Sequence, residues 1–242
     1  MILFAFNSCK ESDITDNDVS DTVTDIDGNI YHTVTIGTQV WMVENLKTTK
    51  YKNGDPIPNV TDDANWNNLT SGAYCNYANN TAIGEKYGRL YNWWVISDSR
   101  GIAPKGWRIP SYADWSTLYD YVSANIGTSL NEYKALASKT DWVYVDKSGL
   151  IGNDLSINNS SGFTALPGGG TGSEIGTGVD WWGNYDVNTQ NTTVCYLYEY
   201  NLGNVDKAEN RFELYLVTDL NFQSTDYLKK SNGLYIRCIK GD

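Results

Sequence analysis

Between residues 30 and 43, apolar and polar side chains alternate on either side of Gly37-Thr38-Gln39. A period of two with turn residues at its centre predicts a β-hairpin, Ile30 to Ile36 and Val40 to Val43. Asp27-Gly28-Asn29 just before it is turn chemistry. Residues 53–59 (NGDPIPN) and 61–72 (TDDANWNNLTSG) read as loop. Residues 85–97 (EKYGRLYNWWVIS) are apolar and aromatic on most sides, which predicts a short buried helix that Gly88 weakens. Past residue 110 the period changes. Trp115, Leu118, Val122 and Ile126 follow at spacings of three and four and line one helical face. Ser111 is placed to cap that helix, Asp114 to reach back to the cap, and Gly127 to stop it. Residues 129–139 repeat the pattern on a smaller scale, with Ser129 as cap.

From about residue 141, Gly, Asn, Ser and Trp dominate a long loop-rich region of about 50 residues. Three alternating runs then close the chain, 192–200, 211–217 and 233–239, each read as a strand of an antiparallel meander. Strands at both ends with helices between them predict an α+β fold whose terminal segments pair in one sheet.

Composition changes this picture in two places. Aromatic residues make up 13% of the 242 residues, including 9 Trp and 18 Tyr. Large flat side chains build cores, but they also build surfaces that stack on sugars or bind proteins. The net charge of −11 is unevenly spread, since Glu11, Asp13, Asp16, Asp18, Asp21, Asp25 and Asp27 face only Lys10 in residues 10–27. An acidic chain repels phosphate backbones, so nucleic acid is not expected as a partner. Residues 10–24 are polar, acidic and free of aromatics, and are read as a flexible tether. Before them, the apolar run MILFAFNSC ends at Cys9. It resembles the lipobox end of a bacterial lipoprotein signal, which implies lipidation at Cys9 and a lipid-anchored place on the outer membrane or cell surface. The expected division is a signal remnant at 1–9, the tether at 10–24 and one folded domain at 25–242.

Several motifs occur in a fixed order: DGNIYHTVTIGTQVWMVENLKTTKYKNGDPIP, YGRLYNWW, PKGWRIPSYADW, GFTALPGG, the Trp pair 181–182 and the closing YIRC. Together they resemble the Fibrobacter succinogenes major paralogous domain. That resemblance implies a C-type-lectin-like fold: a twisted antiparallel sheet, two to three helices and a long loop-rich region. GWRIPSYADW is also similar to the RLPTEAEW segment of the formylglycine-generating-enzyme branch of that fold. The chain departs from the pattern where many members carry cysteine, having Ala103 and Gly84 instead. The usual partners of Cys238 and Cys75 are thereby absent. Cys195 and Cys238, both on terminal strands, are the candidate disulfide if those strands are neighbours.

Candidate chemistry is sparse. The single histidine, His32, lies mid-strand, which leaves no His-rich zinc site and no obvious Ser-His-Asp triad. The Gly-rich stretch 168–178 lacks the Lys-Ser/Thr of a P-loop. Asp62-Asp63, Asp180 with Asp186, and Glu199 facing Glu213 are the carboxylate pairs a hydrolase would need to examine. WWGNYD offers a binding set: Trp181, Trp182 and Tyr185 to stack on sugar faces, Asn184 and Asp186 to supply hydrogen bonds or an oxygen ligand for Ca2+. No catalytic residues and no obligatory cofactor are assigned. The expected function is a non-catalytic, surface-anchored binding module for a glycan or a surface protein. The alternatives are a structural or adhesin component and a carboxylate-based hydrolase.

Overall fold

The computed structural model describes residues 22–126, 132–170, 174–200, 205–217 and 229–241. Cys9, Gly127 and Ser129 lie outside them. Strand β1 (Thr22–Thr24) pairs antiparallel with β2 (Ile30–Ile36), and β2 with β3 (Gln39–Met42). The hairpin forms where it is expected, but Tyr31 and Ile36, five positions apart, lie on opposite faces of the strand and enter different cores, while His32 faces solvent. The folded domain therefore includes Thr22–Thr24, which the composition had assigned to the tether.

Residues 63–97 hold short pieces. They are helix α1 (Asp63–Asn67), strand β4 (Tyr74–Cys75), helix α2 (Thr81–Tyr87), strand β5 (Leu90–Tyr91) and helix α3 (Trp93–Ile96). The single helix expected at 85–97 is thus two helices with a strand between. Gly88, at φ +97°, breaks it in a conformation that favours glycine. Strand β6 (Trp107–Arg108) leads into helix α4 (Tyr112–Asn125). There the sequence was legible. The Ser111 hydroxyl accepts from the Asp114 N–H, and the Asp114 carboxylate accepts from the Ser111 N–H, which makes a full capping box. Trp115, Leu118 and Val122 are buried beneath the helix, and each contributes about 1.5–3 kcal/mol. Helix α5 (Glu132–Leu136) follows.

The region expected to be loop holds the longest surprise. Gly178–Asp186 is strand β7, which joins β8 (Asn191–Tyr200) and β9 (Glu209–Val217) in an antiparallel meander. The last alternating run is not part of that meander. It stitches the sheets together instead: Leu234 bonds Tyr91, Tyr235 bonds the β7 backbone at Asp180 and Trp182, and Ile236 accepts from Leu46. It ends as β10 (Ile239–Lys240) between β3 and β6, giving a five-stranded order β1-β2-β3-β10-β6. The two ends of the chain do share one sheet. The described residues thus form an α+β structure of three antiparallel sheets and five short to medium α-helices.

Two cores result. One joins Trp41, Trp115, Phe163 and Trp181 with ring centroids 4.8–6.1 Å apart. The other holds Tyr31, Met42, Tyr51, Tyr91, Trp93, Trp182 and Cys238. Cys195 belongs to the first core and Cys238 to the second, so they are free thiols and not a disulfide. Their strands are not neighbours, which removes the condition on which the pairing rested. Ala103 shares the second core with Cys238, and Gly84 lies against Asn76, next to Cys75.

Candidate functional site

The residues of WWGNYD do not form one exposed surface. Trp181 and Trp182 are 0% and 1% exposed. The Trp181 indole donates to Asn45 Oδ1 at 2.8 Å and the Trp182 indole to the Tyr91 carbonyl at 2.8 Å. Neither ring has a free face for a sugar, which corrects the stacking role expected of both. Strand β7 runs between the two cores, so successive side chains point into opposite apolar layers. Asn184 donates its N–H to the Pro110 carbonyl, and the Asp186 carboxylate closes the β7–β8 turn by accepting from the N–H groups of Asn188 and Thr189. A Ca2+ ion needs six to eight oxygens. One carboxylate already committed to a turn does not fit that need, and no group of three or more His, Cys, Asp or Glu suited to a metal occurs among the described residues. Asn184, Tyr185 and Asp186 are half-exposed, and the Tyr185 ring is packed edge-on against Trp93 at 5.1 Å.

The other chemical candidates also resolve into structural roles. Asp62 caps α1. Asp180 is buried and lies against Gly170, while Asp186 occupies a turn, so the two form no exposed pair. Glu199 and Glu213 do not face each other: Glu213 is opposite Tyr196, and Glu199 is opposite Asn210 on the other face of the sheet. Burial raises the Glu199 carboxyl above its ordinary pKa, and the Gly152 N–H holds it. Lys134 is buried, and burial lowers its pKa. Its ammonium donates to the carbonyls of Leu150, Ile151 and Asn153 and staples that turn. Arg237, fully buried, lies 4.4 Å over Phe163 and donates to Asn45 Oδ1 and the Phe163 carbonyl. Burial pushes its pKa down to about 9, and it remains a cation at neutral pH.

A concave site lies elsewhere among the described residues. A cleft of about 570 Å³ is lined from three segments of the chain: Tyr51, Pro56 and Pro58; Thr70, Ser71 and Gly72; and Trp94, Ser97, Asp98, Ser99 and Arg100. That volume falls in the range of roughly 300–1,000 Å³ typical of small-molecule sites. Each segment is locally specified. Tyr51 donates its N–H to the Asp55 carbonyl and accepts from Gly54, which closes a tight turn before the two prolines. Asn92, wholly buried, accepts from the Ala73 N–H and donates to the Ser71 carbonyl, so it ties the second segment to the start of α3. After α3, the Asp98 carboxylate accepts from the Arg100 N–H. The Lys52 N–H to Gly101 carbonyl bond, 2.9 Å, joins the first segment to the third.

The polar geometry of the cleft centres on Arg100. Its guanidinium carbon lies 3.8 Å over the Tyr51 ring centroid. Its Nε and Nη2 donate to the two Asp98 oxygens at 2.9 and 2.7 Å, and its Nη1 to Asp55 at 2.9 Å. Hydrogen bonds from Arg100 hold the Asp98 carboxyl below the usual carboxylate range, and Asn53 together with Arg100 does the same for Asp55. Tyr51 is 1% exposed, yet its hydroxyl has no hydrogen-bond partner among the described residues. Arg100 covers the ring. Burial raises the Tyr51 pKa, so the group is a neutral phenol at neutral pH. Trp94 is half-buried and leaves part of its indole on the cleft.

Sequence reasoning missed this site because its segments read as loop or buried helix. One signal was present. A Trp-Trp pair at 93–94 on a four-residue helix cannot bury both rings on one side.

Comparison with known proteins adds the family and no more. Neither a search of curated proteins nor a search of solved structures found a match. Residues 34–240 match the model of the Fibrobacter succinogenes major domain, and with most of its length inside that match the chain belongs to this family.

Proposed function

We propose that this protein is a non-catalytic binding module, held at the cell surface by a lipid on Cys9, that takes a glycan in the cleft between Tyr51 and Trp94. The observation that carries this reading is the cleft itself, lined by the half-buried Trp94 indole, two prolines and four Ser/Thr side chains. Flat apolar platforms beside dense hydroxyl donors and acceptors match the two faces of a sugar ring. Lipid anchoring draws on the apolar run ending at Cys9 and the acids after it. No helix among the described residues is long and apolar enough to cross a membrane.

A hydrolase draws no support from the cleft. Glycoside hydrolysis needs one carboxyl protonated near neutral pH. Asp98, the carboxyl that lines the cleft, is shifted the other way by its hydrogen bonds from Arg100. A structural or adhesin role has one observation in its favour: β9 forms the outer edge of its sheet, with Tyr215 and Leu216 about half exposed.

The test is binding of the full chain to a printed glycan array, alongside Trp94→Ala and Tyr51→Phe. Glycan binding that falls in both variants supports the cleft. A wild-type protein that binds no glycan but pulls down a surface protein through β9 supports the adhesin reading. For the anchor, Cys9→Ser is expected to move the protein from the membrane to the soluble fraction; unchanged membrane association overturns lipidation.

A further inference from the structure

We infer that the cleft selects uncharged saccharides and rejects sulfated and uronate-bearing ones. This rests on the glycan reading above and adds the chemical class of the ligand. An arginine recognises a carboxylate or sulfate through a pair of parallel N–H groups. At Arg100 the Nε/Nη2 pair is already closed on the two oxygens of Asp98, and Nη1 donates to Asp55. An anionic ligand would have to displace Asp98 or approach a cation that two carboxylates have already neutralised. The charged side chains that line the cleft are Asp98 and Arg100, which cancel. Lys52 has its side chain beside Gly101 and does not line the cleft. The net charge of −11 adds a long-range field of the same disfavouring sign.

What remains on offer suits hydroxyl groups. Of the five guanidinium N–H groups, three are used, so one is left on each terminal nitrogen. The carboxylate oxygens of Asp98 keep further acceptor sites, Thr70, Ser71 and Ser99 each bring a hydroxyl that both donates and accepts, and the Ser97 hydroxyl, which donates to the Trp94 carbonyl, can still accept. Donors and acceptors are thus both present in the cleft. A sugar hydroxyl donates to a carboxylate while accepting from a guanidinium, which a carboxylate or sulfate oxygen cannot do.

The experiment is an array that carries neutral oligosaccharides beside sulfated and uronate-bearing forms of the same backbones, probed with the full chain and with Asp98→Asn. Near-UV circular dichroism checks that the variant keeps its fold. We expect the neutral forms to bind at least about tenfold better than their acidic counterparts. We expect Asp98→Asn, which opens the guanidinium pair, to raise binding of the acidic forms and narrow that gap. Acidic forms that bind as well as or better than neutral ones overturn the charge selection and leave the glycan reading standing. A wild-type chain that binds no saccharide of either kind overturns the glycan reading, and this inference with it.

Discussion

Arg100 lies over Tyr51, its guanidinium carbon 3.8 Å from the ring centroid, and two carboxylates hold it there. The arrangement fixes one part of the cleft lining, with the phenol buried beneath the guanidinium. It also depends on Gly72. A Cβ at position 72 would collide with the Tyr51 hydroxyl. Gly72→Ala is therefore expected to push the ring outward, destabilise the fold by about 1–3 kcal/mol, and weaken ligand binding. Urea unfolding and a binding titration measure the two effects. An unchanged variant in both assays would mean that Tyr51 is not wedged as described.

Trp181→Ala should behave differently from any cleft variant. Its ring contacts Trp115 and Phe163, lies under Arg237, and donates to Asn45. Removing it is expected to cost about 3–5 kcal/mol of stability. Measured below its melting transition, the folded fraction should still bind ligand. Selective loss of binding with a native melting curve would instead return Trp181 to the ligand site.

How much of this was legible follows from range. The Ser111–Asp114 capping box and the 30–42 hairpin depend on residues a few positions apart, and the chain states them plainly. Strand β7 is covered on both faces, with Trp181 in one core and Trp182 in the other, so it lacks the alternation that marks a half-exposed strand. Its Gly and Asn residues then read as loop. The run 233–239 alternates, but its successive residues pair with β5, β7 and β3, a topology that no local period encodes. The cleft was illegible for the same reason. Tyr51 and Arg100 are far apart in sequence, and a backbone bond between Lys52 and Gly101 brings their turns together.

The thiols carry a further expectation. Burial pushes the Cys75 pKa up to about 12 and raises those of Cys195 and Cys238 as well. All three should react slowly with an aromatic disulfide reagent at mildly alkaline pH and promptly in denaturant. Intact mass should not change on reduction. A peptide linking Cys195 to Cys238 in a non-reduced digest would contradict their separation into two cores.

Asp27 sets a pH dependence. Burial disfavours its charge, but the Thr49 N–H, the Lys50 ammonium and the hydroxyls of Thr49 and Thr48 outweigh that and bring its pKa down to about 2. A carboxyl whose folded pKa lies below its unfolded value of about 3.9 stabilises the fold above that value and loses the contribution as pH falls toward 2. Asp27→Asn is thus expected to be less stable than wild type by on the order of 1–2 kcal/mol at pH 6. The gap should close between pH 4 and about 2. Urea midpoints across that range measure it, and a gap independent of pH would show that the carboxylate charge plays no part.

The most direct test of the central claim is a calorimetric titration of the full chain and of Trp94→Ala with the best neutral oligosaccharide from the array, each with a melting curve. Trp94 is half-buried and makes no side-chain hydrogen bond that the fold depends on among the described residues. Its loss should leave the chain folded and weaken binding by about tenfold or more. Unchanged affinity in a folded Trp94→Ala protein would contradict the assignment of the cleft as the ligand site.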